Sequence, residues 1–122
     1  MIEEIIEIYD DFHDSLITKI QYNRNFNYYE PQKSIEPDVE LYLSCFNCQN
    51  YFERELIKIV FTDVSFFNFQ NYEGMVSSAL IKKENDIITF DFFPIIYTEH
   101  SGEDLNSFCI IKCKSVNYEV ME

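Results

Sequence analysis

The chain has 122 residues, the usual size of one domain, and 47% of them are hydrophobic, which is enough to fill a packed core. Twenty-two Asp and Glu stand against nine Lys and Arg, so the formal charge is −13. A field of that sign repels nucleic acid and anionic membranes and attracts basic proteins. We therefore expect one globular domain, residues 1–122, that binds neither nucleic acid directly nor a membrane.

The start of the sequence is acidic where a secretory signal peptide needs basic residues, and no apolar run approaches about eighteen residues. We expect a cytoplasmic protein, whose four cysteines are thiols rather than disulfides. The spacing of Cys45 and Cys48 suits a zinc knuckle, but Cys109 and Cys113 fall in a predicted strand. The cysteines are therefore interpreted as small apolar residues of the core, and no metal or other cofactor is expected.

Hydrophobic periodicity predicts one helix at the start of the chain. In residues 2–12 the apolar side chains recur at helical spacing, with the acids on the opposite face, and the helix should end near Asp11 to Asp14. From Ser15 the pattern alternates as in a strand. Residues 23–38 are polar and contain two prolines, so they are interpreted as a long loop.

The rest of the chain predicts strands in quick succession. They are 39–45, 56–61 continued by 64–69 after a break, 87–93, and 107–120 with a bulge near Lys114, while 75–83 is ambiguous between helix and strand. A hairpin turn is expected at residues 83–86. Because no β–α–β alternation appears, we expect an α+β domain, mainly antiparallel β-sheet of about six strands, with a short N-terminal helix.

Uncompensated acids distinguish the start of the chain, since the first fifteen residues hold six Asp or Glu and no Lys or Arg. Each like-charge pair at helical spacing costs about 0.2–0.5 kcal/mol, and nothing in the fold requires it. A basic partner protein explains the arrangement, and a solvated face that confers solubility is the alternative. The candidate partner-binding residues are Glu3, Glu4, Glu7, Asp10 and Asp11, a second acidic patch of Glu99, Glu103 and Asp104, and the loop tyrosines Tyr28 and Tyr29 as candidate anchors.

The run His13-Asp14-Ser15 contains the residue types of a hydrolase triad. Three consecutive residues do not normally converge on one reacting atom, and no Gly-rich oxyanion turn or phosphate-binding loop accompanies them. We expect these side chains to serve the helix-to-strand junction and the protein not to be an enzyme. A hydrolase would instead place an exposed His13 in a pocket beside a second carboxylate or a thiol.

Three segments carry a family resemblance. They are residues 9–17, YDDFHDSLI, residues 56–64, LIKIVFTDV, and residues 115–120, SVNYEV. The first resembles the F-H-D-S/A-x-I-like opening, the second the apolar strand ending in F-x-x-V, and the third the C-terminal strand of small bacterial immunity proteins of the immunity protein 50 type. The resemblance implies an antitoxin that tightly binds a secreted or contact-delivered toxin domain in the producing cell, and it implies no catalytic residues. A nuclease is one basic toxin that fits, and the alternative is a non-enzymatic acidic scaffold or binding domain.

Overall fold

Two antiparallel sheets and one short helix form the structure, a computed structural model that describes residues 2–25, 28–30, 35–70, 74–96, 101–102 and 109–121. The elements in chain order are α1 (Ile2–Tyr9), β1 (Ser15–Asn25), β2 (Ile35–Asn47), β3 (Glu53–Thr62), β4 (Phe66–Phe69), β5 (Met75–Val76), β6 (Leu80–Glu84), β7 (Ile87–Asp91), β8 (Ile95–Ile96), β9 (Ser101–Gly102), β10 (Cys109–Cys113) and β11 (Ser115–Val120). The expected fold class, a mainly antiparallel α+β domain, is confirmed. Among the described residues, no helix has the length and apolar character needed to cross a membrane.

The chain passes from one sheet to the other in two places, between β3 and β4 and between β10 and β11. The strand orders are β11-β3-β2-β1-β5 and β4-β10-β7-β6, and β8 pairs with β9. At the crossing the Ser65 N–H donates to the Lys112 carbonyl at 2.8 Å, and the Lys114 N–H donates to the Thr62 carbonyl at 3.2 Å. The expected strand 107–120 is therefore two strands in different sheets, and so is the stretch 56–69. Because 75–83 also forms two short strands, the six expected strands become nine in the described part of the two sheets.

The core lies between the two sheets and under α1. Alternate residues of β2 and β3 are fully buried, as their alternating sequences predict, and Phe61 meets Phe90 of the other sheet edge to face, with ring centroids 5.0 Å apart. From the helix side, Tyr9 stacks on Phe12 at 5.6 Å, and Phe12 contacts Phe92 at 6.3 Å. The aromatic residues that dominate the composition thus join the helix to both sheets.

Strand β1 does not keep the regular alternation expected from Ser15 onward. The pairing of β1 with β2 shifts between Ile17 and Lys19, which leaves Thr18 as an extra residue, a β-bulge. Ile17 packs against the core before the bulge and Ile20 after it, while Leu16 is exposed. One extra residue therefore reverses which side chains face the core.

Helix α1 ends at Tyr9, two residues before the range expected for its end, Asp11 to Asp14. Asp10, Phe12 and Asp14 have φ values of 55°, 57° and 57°, in the left-handed region that ends helices. Phe12 is held there by its burial, although this conformation costs a bulky residue about 1–2 kcal/mol. The loop expected at 23–38 is also shorter, because 23–25 belong to β1 and 35–38 to β2.

Candidate protein-binding surface

Helix α1 presents acids to solvent, as its periodicity predicts. Glu3, Glu4 and Glu7 are exposed on the face opposite the core, and Asp10 is exposed immediately after the helix. A hydrogen bond from its own backbone lowers the pKa of Glu3, so this carboxylate is ionised at neutral pH. The helix has no Lys or Arg of its own to offset these charges. The four carboxylates therefore form a negative surface, although the Glu4 carboxylate also accepts a hydrogen bond from the Tyr118 hydroxyl at 3.1 Å.

Hydrogen bonds fix α1 to the hairpin formed by β2 and β3. The Tyr9 hydroxyl donates to Glu55 Oε1 at 2.9 Å, and Asn47 Nδ2 donates to Glu55 Oε2 at 3.0 Å. The Cys48 N–H donates to the carbonyl of Ile8 at 2.7 Å. Burial, followed by the bond to Glu55, raises the pKa of Tyr9, so its hydroxyl keeps its proton and remains the donor. The end of the helix and the β2–β3 turn are consequently held as one unit.

The β2–β3 turn presents two aromatic side chains beside that helix end. Tyr51 is 92% exposed and Phe52 is 59% exposed. Their φ values are 53° and 55°, and the Glu53 N–H donates to the Asn50 carbonyl at 3.0 Å. Two consecutive positive φ values closed by this bond are typical of a type I′ turn. We call Glu3, Glu4, Glu7 and Asp10 together with Tyr51 and Phe52 the acidic–aromatic surface.

Aromatic residues are an unusual choice for this turn. The β6–β7 hairpin, expected from the sequence and confirmed, makes its turn with Asn85 and Asp86 at φ values of 52° and 64°, and Asn and Asp tolerate the left-handed region. In the β2–β3 turn, Tyr51 and Phe52 each cost about 1–2 kcal/mol in the same region. Tyr51 gains almost no burial in return. Strain at an exposed position is typical of residues kept for function rather than for stability.

Asp11 is already engaged within the fold. The Ser78 hydroxyl donates to Asp11 Oδ2 at 2.6 Å, the His13 N–H donates to Asp11 Oδ1 at 3.1 Å, and the Ala79 N–H donates to the Asp11 carbonyl at 2.7 Å. Burial raises the pKa of Asp11, but the hydrogen bonds from Ser78 and His13 outweigh it, so the net pKa is lowered. Asp11 therefore joins the end of α1 to the β5–β6 connection. Of the acids expected to bind a partner, Asp11 is partly buried and hydrogen-bonded within the fold, whereas the four acids of the acidic–aromatic surface are exposed.

The geometry around His13 differs from that of a hydrolase triad. His13 is partly exposed, and its Nδ1 lies 3.2 Å from Asp11 Oδ1, so its carboxylate partner is Asp11 rather than Asp14, the acid of the hydrolase alternative. A triad needs the histidine between the nucleophile and the carboxylate. Here the carboxylate lies between Ser78 and His13, which bind its two different oxygens. This arrangement orients the junction between α1 and β1 through Asp11 and Ser78, and not through the side chains of Asp14 and Ser15 as the sequence suggested.

Potential metal ligands occur at the same junction. Within the described ranges, Asp10, Asp11 and His13 bring one ligand atom each to within 4.8 Å of the others. Asp11 already accepts hydrogen bonds at both carboxylate oxygens. Among the cysteines, Cys45 is buried, and burial raises its pKa to about 12, which keeps it a neutral thiol and a poor ligand.

The other predicted partner-binding residues are placed differently. Tyr28 and Tyr29 are 85% and 96% exposed, in a short described segment between β1 and β2. The second acidic patch, Glu99, Glu103 and Asp104, lies outside the described residues. Tyr51 and Phe52 were not among the chosen candidates, although an aromatic pair directly after the polar run 47–50 indicates an exposed turn.

Comparisons with known proteins identify no relative. No family model matches the chain, and neither does any curated protein or solved structure.

Proposed function

We propose that this protein is an immunity protein, an antitoxin that binds and neutralises a secreted or contact-delivered bacterial toxin domain in the cytoplasm of the producing cell. The observation that carries the proposal is the acidic–aromatic surface, in which the exposed acids belong to α1 and its end, and the exposed aromatic residues belong to a strained turn of the hairpin that is hydrogen-bonded to that end. The sequence resemblance to immunity proteins of the immunity protein 50 type supports the same role.

The two parts of the surface serve binding in different ways. Exposed acids raise the rate at which a basic protein associates and make that rate sensitive to salt. Exposed aromatic side chains on a hydrogen-bonded turn supply anchors, because they bury a large area at a small cost in conformational entropy. A toxin with a basic substrate-binding surface, such as a nuclease, would be blocked by occupation of that surface. The mechanism is stoichiometric and needs no catalytic residue in this chain.

The first experiment is a pull-down from a lysate of the source cells at low and at high salt. The bait is the full chain, compared with a variant in which Glu3 and Glu7 become Gln and Asp10 becomes Asn. We expect one basic protein to be retained by the wild-type chain at low salt and to be lost from the variant. That protein should be toxic when expressed alone, and coexpression of the wild-type chain should restore growth.

A matched control variant distinguishes the effect of this surface on binding from the effect of the overall charge of the protein. Changing Glu84 and Glu119 to Gln and Asp86 to Asn removes the same number of charges at exposed positions of β6, β11 and the β6–β7 turn. The control should retain and neutralise the toxin as the wild-type chain does. If both variants behave alike, or if no protein is retained at either salt concentration, the acids only confer solubility and the scaffold alternative replaces the antitoxin proposal.

A further inference from the structure

A second, oppositely charged site lies on the four-stranded sheet. A surface cavity of about 380 Å³ is lined by Lys82, Lys112, Thr89, Ser65 and Glu84, among other residues. Residues 82, 83, 112 and 114 hold four of the nine Lys and Arg of the chain. Cations are therefore concentrated on β6, β10 and the residue that follows β10, although the protein as a whole is strongly acidic.

The register of the sheet places two ammonium groups on either side of one hydroxyl. Lys82 of β6 and Lys112 of β10 both pair with Thr89 of β7, so the three side chains share one face. Thr89 is only 1% exposed, and its Oγ1 accepts a hydrogen bond from Lys112 Nζ at 3.0 Å. Because that oxygen accepts from the lysine, the hydroxyl proton of Thr89 is directed elsewhere and is suited to donate.

We propose that this cavity binds the phosphate group of a small phosphorylated molecule. Two ammonium groups match the charge of a phosphate monoester, and lysine binds phosphate as a point charge. The hydroxyl of Thr89 adds a hydrogen-bond donor, whereas the Ser65 hydroxyl donates to the Lys112 carbonyl at 3.4 Å. The cavity exceeds the size of a bare phosphate and leaves room for a small organic group beside Ile87, which also lines it.

One acid opposes the binding of an anion. Glu84 also lines the cavity, and its carboxylate lies 3.3 Å from Lys82 Nζ. Glu84 therefore competes with the phosphate for Lys82 and repels it. This opposition gives a prediction of unusual sign, because the removal of an acid from the cavity should strengthen the binding of the ligand.

The test is a titration of the full chain with ribose 5-phosphate, followed by NMR shifts of backbone amides and by calorimetry, with ribose as the reference. We expect saturable shifts at Thr89 with ribose 5-phosphate and none with ribose. Lys82→Gln and Lys112→Gln should each weaken binding about tenfold. Lys83→Gln and Lys114→Gln change the charge equally at exposed positions that do not line the cavity, and they should change the affinity less than about twofold.

Glu84→Gln supplies the test of opposite sign. It should tighten binding about threefold, whereas Asp86→Asn, on the same hairpin, should leave the affinity unchanged. Circular dichroism of each variant verifies that it is folded. Three results would each overturn the proposal: the absence of saturable shifts at Thr89, equal weakening by all four lysine substitutions, or weaker binding by Glu84→Gln. Acetate that binds as tightly as ribose 5-phosphate would overturn the assignment to phosphate.

Discussion

Replacement of Tyr51 by Asn should stabilise the fold while weakening its binding to a toxin. Tyr51 is 92% exposed, so the substitution removes almost no buried surface. Its φ value of 53° costs a residue with a β-carbon about 1–2 kcal/mol, and Asn recovers about 1 kcal/mol because it tolerates this region. For a domain of this size, about 1 kcal/mol corresponds to a rise in Tm of about 4 °C.

The matched control is Tyr51→Ala. Alanine removes the same ring but keeps the strained backbone, so its Tm should stay close to that of the wild-type protein. Thermal and urea unfolding, both followed by circular dichroism, measure the difference between the two variants. If Asn is no more stable than Ala, the turn stores no strain and the argument from Tyr51 fails. Both variants should retain less toxin than the wild-type protein, because both lack the aromatic anchor.

Three further predictions concern groups inside the fold. Tyr9→Phe removes the hydroxyl that binds Glu55 and should lower the free energy of unfolding by about 1.5–3 kcal/mol in urea; a loss below about 0.5 kcal/mol would contradict the bond. The lowered pKa of Asp11 means that its ionised form adds stability above its unfolded value of 3.8, and that this contribution is lost as pH falls through the lower folded pKa. Asp11→Asn should therefore lower the free energy of unfolding at neutral pH and make its decrease toward acidic pH less steep. If the free energy of unfolding depends on pH identically in the variant and the wild-type protein, the prediction is refuted. Cys48, which is only partly buried, should react with a thiol reagent before Cys45, whose burial raises its pKa to about 12; simultaneous reaction in the native protein would count against the fold.

The class of the fold was predictable because its periodicities are local. The spacing that places Ile5 in the core and Glu7 in solvent needs only the period of a helix, and the alternation of β2 and β3 needs only that of a strand. The β6–β7 turn was likewise predictable from the turn residues Asn85 and Asp86. These elements were expected from residues adjacent in sequence, without knowledge of the tertiary structure.

Features that depend on distant contacts were not predictable. The bulge at Thr18 follows from how β1 must pair with β2, and the change of sheet at Lys114 follows from a hydrogen bond to Thr62. Phe12 has an apolar side chain at a helical position but reaches the core from a left-handed turn. In each case tertiary packing overrides a local pattern.

The candidate binding surface also has a part that was predictable from the sequence and a part that was not. The exposed acids of α1 were predicted, since a helical face is readable from sequence. The internal role of Asp11 was not, because its partner Ser78 lies 67 residues away. The backbone strain at Tyr51 and Phe52 was also not predictable, because the sequence of an aromatic pair does not indicate its φ values.

The most direct test of the antitoxin proposal is the association rate constant between this chain and the basic toxin that it retains, measured by stopped flow from about 50 mM to about 500 mM salt. The proposal predicts that the rate constant for the wild-type chain falls at least about tenfold across this range. The variant that lacks the charges of Glu3, Glu7 and Asp10 should associate more slowly at low salt and show a weaker dependence. A rate constant that is insensitive to salt, or identical for the two proteins, would contradict the role assigned to the acidic–aromatic surface.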